Sequence, residues 1–133
     1  MSFSCSLMWL ILLLCTILFF SPAVAQISET NFAHLRDLCT LNNGEACAQL
    51  ANQLLKLPDR ESYFFEAARA YEKACALEII WACNNIGDQF YYGKFGRSRD
   101  LVKAIRYFEL GCKKENEYAC SRLVDILGDA ERK

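Results

Sequence analysis

Charge is absent from the first 25 residues and unbalanced nowhere else. Fifteen Lys and Arg stand against sixteen Asp and Glu in 133 residues, a formal net charge of -1. A nucleic-acid binder carries a basic surplus to neutralise phosphates, so this balance argues against that class. It also gives no reason to expect attraction to anionic lipid. Histidine occurs once, as His34, and neither His-Glu-x-x-His nor Cys-x-x-Cys is present, so no metal or cofactor is expected. The Ser-x-x-Lys motif of serine acylases is missing as well. Ser62, Ser98 and Ser121 have no partner visible in the sequence and read as cap, linker and helix-surface residues, which leaves any catalytic set unknown. No run alternates apolar and polar residues with period two, so strands are not expected.

What is abundant comes in two kinds. The first is apolar sequence at the start: Leu7 to Phe20 is apolar except for Thr16, and leads into Ser21-Pro22-Ala23-Val24-Ala25. The run falls short of the roughly 20 apolar residues a spanning helix needs, and the small residues at 23 and 25 fit a signal-peptidase site. Residues 1–25 are therefore read as a signal peptide cleaved before Gln26, with 26–133 as one exported domain. No stable membrane insertion is expected after cleavage. No Lys or Arg precedes the apolar core, so an uncleaved N-terminal anchor is the alternative.

The second is cysteine. Six remain after position 25, and six in a short exported chain read as a disulfide framework of an oxidising compartment, periplasmic or secreted. They fall in three pairs, Cys39 and Cys47, Cys75 and Cys83, Cys112 and Cys120, each with seven residues between, offset by 36 and then 37 positions. Around them the chain repeats. A stripe such as Ala67, Ala70, Tyr71 and Ala74 precedes the first cysteine, and one such as Cys83, Ile86, Gly87 and Phe90 begins at the second. Each unit thus reads as two helices, all-α overall, an α/α solenoid of about three hairpins. Asp100 is placed to cap the helix starting at Leu101, Pro58 with Asp59 and Ser62 separates the first two units, and Gly93 and Gly96 end the fourth helix. Six cysteines allow 15 connectivities on sequence alone. The repeat favours one bridge per hairpin, from the last turn of one helix to the first turns of the next.

The segment Gly87-Asp88-Gln89-Phe90-Tyr91-Tyr92-Gly93-Lys94-Phe95-Gly96, with Asp100 and Lys103-Ala104, resembles the Sel-one-like repeat, a relative of the tetratricopeptide repeat. With the paired cysteines the chain is most similar to the Helicobacter cysteine-rich protein family and related exported bacterial proteins. The match is good over 63–133 and weaker over 28–62, where Asn31 replaces the first-helix alanine and no glycine-bearing linker follows. The resemblance implies hairpins stacked in a right-handed superhelix, one disulfide each, and an export-side role in binding an as yet unknown protein or peptide. For some members it also implies penicillin binding or weak β-lactamase activity, the runner-up reading, with no catalytic residue to carry over.

Arg69 and Arg106 occupy equivalent first-helix positions, with Lys73 and Lys103 nearby. Stacked repeats would align these four along a surface able to hold a partner's carboxylates, the alternative being a plain solvated helix face. His34 aligns with Ala70 and Tyr107 and is expected to be a partly buried structural histidine. Most of Tyr63, Phe64, Phe90, Tyr91 and Tyr92 are expected to pack between hairpins.

Overall fold

The computed structural model describes residues 22–132, and Met8 besides. The leader assignment therefore falls mostly outside the described residues, as do Cys5 and Cys15. The chain forms two compact units, Met1–Ala33 and His34–Lys133. Of the first, the part described beyond Met8 is helical and opens helix α1, Pro22–Thr40. The second runs on through α2 (Gly44–Leu54), a 3-10 turn (Arg60–Tyr63), α3 (Phe64–Ala76), α4 (Ile80–Tyr92), α5 (Leu101–Lys113) and α6 (Glu117–Glu131). No strand occurs among the described residues, and the fold is all-α.

One local device builds all three hairpins. After each first cysteine the chain takes one left-handed residue, Asn42, Glu78 or Glu115, at φ of 62°, 63° and 59°. That residue donates its N–H to the cysteine carbonyl, at 3.1, 3.0 and 2.9 Å. The next residue donates to the carbonyl five positions back: Asn43 to Leu38, Ile79 to Ala74, Asn116 to Gly111, at 3.1, 3.0 and 3.1 Å. This double closure satisfies carbonyls that a helix end leaves open. The same next residue is already the N-cap of the following helix. Asn43 and Asn116 accept from the N–H groups of Ala46 and Ala119, whereas Ile79 makes no side-chain cap. So short a turn sets the first cysteine beside the residue four places into the next helix. Cys39–Cys47, Cys75–Cys83 and Cys112–Cys120 are bonded, with Cα separations of 4.6, 4.8 and 4.6 Å. Three such bridges place the folded chain in an oxidising environment.

Hairpins stack because each buries a face only against its neighbour. The fully buried Tyr71 and Phe108 come from equivalent positions of α3 and α5. Within their own hairpins they meet Trp81 and Tyr118 edge-on. Phe108 also lies on Gly87 of the hairpin before, where an added Cβ would come within 2.8 Å of the ring. Phe90 of α4 stacks on Tyr107 of α5. Ile79, the residue that fails to cap, instead covers Gly44 of the first hairpin, where a Cβ would sit 2.8 Å from its Cγ1. Between α4 and α5 the chain turns on Gly93 and Gly96, both at positive φ, and Asp100 caps α5 by accepting from the N–H of Lys103 at 3.0 Å. The 3-10 turn fills the equivalent place between the first two hairpins.

Candidate functional site

First helices α1 and α3 frame a groove of about 470 Å³. Its floor is apolar, from Cys39, Leu50 and Ala70, with Phe65 beside it exposed at 75%. Leaving a phenylalanine this open costs hydrophobic stabilisation that burial would recover, so it marks a surface suited to contact. The rim is cationic. Arg36 donates through Nε and Nη2 to the two carboxylate oxygens of Glu66, at 2.6 and 3.1 Å, and this pairing raises the guanidinium above its ordinary pKa. Arg69 stands over the Phe65 ring at 5.8 Å, and Lys73 donates to the Thr40 carbonyl at 3.4 Å. Three cations and one carboxylate line the groove, and Arg36 already holds the carboxylate. Arg69 forms no ion pair among the described residues.

The other two expected cations sit in a different recess. Lys103 and Arg106, with Tyr107 and Leu110, line a hollow of about 330 Å³ on α5. Lys103 pairs with Asp100 at 3.4 Å, and Arg106 is exposed. The four cations expected on one surface are thus divided two and two. Register explains part of the difference. Arg36 and Glu66 occupy positions whose counterparts one unit on are Glu72 and Lys103, with the signs exchanged. That second pair does not form: Glu72 takes Arg97, at 2.8 Å, and Lys103 takes the capping carboxylate.

His34 is exposed, contrary to the expectation of partial burial. Its counterparts Ala70 and Tyr107 line or pack against the hairpin before them, and among the described residues no hairpin precedes His34. Ser62, Ser98 and Ser121 lie in the 3-10 turn, the second linker and α6, all exposed. Of the aromatic residues, Phe90 packs between hairpins as expected, whereas Tyr92 is half exposed and lies edge-on to Tyr91. No group of three His, Cys, Asp or Glu side chains among the described residues is disposed to hold a metal.

A second polar cluster was not visible in the sequence. Arg122 of α6 lies over Tyr91 at 4.3 Å and within 5.6 Å of Phe108, with Asp88 of α4 at 3.6 Å. Tyr118 donates its hydroxyl to Asp88 at 2.6 Å. Burial, and then the Asp88 carboxylate, push the Tyr118 phenol up to about 12. Arg122 Nε and Asp88 Oδ1 are buried without a hydrogen bond, since 3.6 Å is too long for one. This cluster ties α4 to α6 across two hairpins. Arg122 and Asp88 are 34 positions apart, so only the stack brings them together.

No protein-family model, curated protein or solved structure matches the chain. No helix among the described residues is long and apolar enough to cross a membrane.

Proposed function

We propose that the protein is an exported interaction module of the Sel-one-like repeat type, periplasmic or secreted, that holds an acidic and partly apolar segment of a partner protein in the groove between α1 and α3. One observation carries this reading. An open phenylalanine and an unpaired guanidinium, Phe65 and Arg69, share the lip of an apolar groove whose net charge is positive. An apolar side chain of the partner covers Phe65 and removes both from water, while a carboxylate next to it meets Arg69. The disulfide Cys39–Cys47 holds the floor, because Cys39 is part of it. Binding then depends on the oxidised form without either sulfur touching the ligand.

Fluorescence anisotropy of the oxidised protein with labelled peptides tests it, comparing acidic-aromatic sequences with the same sequences carrying Lys for Glu. The acidic set binds more tightly, and Arg69→Glu weakens it by about tenfold or more, since the swap replaces attraction by repulsion. Arg106→Glu, in the other recess, changes it by less than about twofold, as remote sites act independently. Equal binding of both peptide sets removes the proposal. Penicillin hydrolysis lost on a single serine or His34 substitution, in protein that keeps its helical spectrum, establishes the β-lactamase reading in its place.

A further inference from the structure

The outer faces of successive second helices are the joints of the stack. One, four and seven positions after the second cysteine, α2 carries Ala48, Ala51 and Leu54, and α4 carries Asn84, Gly87 and Phe90; all six are buried. At α4 the covering groups are Phe108 on Gly87 and Tyr107 on Phe90, both from the next hairpin. The equivalent residues of α6 are Ser121, Val124 and Leu127, and all are exposed. Val124 is open at 70% and Leu127 at 52%, where Leu54 and Phe90 stand at 0% and 7%. On the same helix Tyr118 is exposed at 46%, and a Cβ added at Gly128 would meet nothing closer than Arg132 Nη2 at 3.9 Å. The internal joint thus continues onto α6 in register, with its apolar residues uncovered.

The first of the described hairpins does not complement it. Where α3 and α5 bring Ala70 and Tyr107, α1 has His34, which is exposed. A polar head gains nothing by burying an apolar tail, because its own groups lose water in the exchange. Tail against tail buries Val124 and Leu127 on both sides at once.

We propose that a second copy of this chain covers the face, the two α6 helices packing antiparallel about a two-fold axis with Val124 at the crossing. Such an interface is isologous and closes at the dimer. Ser121 and Gly128, small residues along the same stripe as Val124, let the axes approach. The antiparallel arrangement also sets Glu117, in the first turn of α6, near the partner's Arg132, which pairs with Asp129 of its own helix at 2.6 Å and is 75% exposed at the side chain. Opposed charges then meet twice, once at each end of the crossing.

Sedimentation equilibrium of the oxidised exported protein, from micromolar to hundreds of micromolar, tests the pairing. A monomer–dimer equilibrium is expected, and Val124→Glu or Leu127→Glu should weaken it by at least about tenfold by burying unpaired charge. Both positions are exposed in the single chain, so circular dichroism should be unchanged. Val124→Cys treated with a short bismaleimide should give a covalent dimer joined between the two engineered cysteines. A monomer at every concentration overturns the proposal. So does association indifferent to both glutamate substitutions, or a ladder of higher species, which means head-to-tail stacking.

Discussion

Three residues without a glycine among them adopt the left-handed conformation that each hairpin turn requires, and two of them are glutamates. A non-glycine residue there costs roughly 1–2 kcal/mol, least for asparagine. Glu78 gains something in return, an ion pair with Lys114 of the next turn at 2.8 Å that lowers its pKa. Glu115 has no ion pair among the described residues. Glu115→Gly should therefore stabilise the protein by about 0.5 kcal/mol, after the flexibility glycine adds to the unfolded chain is subtracted. Urea unfolding measures it, and Glu115→Val should move the midpoint the other way. Tyrosines give the pH response. Burial pushes Tyr71 up to about 12, as burial and Asp88 do Tyr118, from an ordinary 10. The folded state then holds protons that the unfolded chain releases, so their contribution is complete below pH 10 and falls away as pH rises from there toward 12. In the Tyr71→Phe, Tyr118→Phe double variant the alkaline decline measured by urea unfolding should be shallower; an unchanged decline would show that other groups cause it.

The helices and the Asp100 cap were legible in the sequence, because their signals are local, whereas the Asn43 and Asn116 caps were not read from it. Asp100 caps α5 and Gly93 ends α4 as the sequence indicates, both by acting on backbone groups a few residues away. The cysteine spacing was legible for a related reason: a turn this short leaves one geometry for positions eight apart. Ile79 shows where local reasoning ends. Its neighbours in the repeat are asparagine caps, but its side chain goes to Gly44 of another hairpin, a contact no local pattern encodes. Joints between elements are tight enough to test. In Gly87→Ala the new methyl comes within 2.8 Å of a Phe108 ring that is fully buried and has nowhere to move. The expected loss of about 1–3 kcal/mol from overpacking exceeds the gain in helix propensity of about 1 kcal/mol. A midpoint of urea unfolding above that of the parent protein would contradict that ordering. Replacing Cys75 and Cys83 together with alanine should cost about 2–3 kcal/mol by the loop-entropy model. This pair should also matter most in the monomer, because among the described hairpins of one chain only this one has a neighbour on both sides; a smaller loss than for the Cys39 and Cys47 pair would refute that.

At the scale of the array, the sequence shows that units repeat but not how far one is turned against the next. Arg69 and Arg106 are equivalent by spacing, yet the stack gives each a separate recess. Arg36, which no cysteine spacing singles out, becomes part of the site because Glu66 lies across the joint from it. The exposure of His34 has the same origin, since its equivalence to Ala70 and Tyr107 fails at the first of the described hairpins. The groove of α1 and α3 is thus a property of one particular joint, and the functional account rests on it. The most direct measurement is an NMR titration of the oxidised, isotope-labelled protein with the acidic-aromatic peptide. Amide shifts should concentrate at residues 36–40, at Leu50 and along 65–73, and should vanish in Arg69→Glu. Shifts centred instead on Lys103 and Arg106, or spread along α6, would contradict the account.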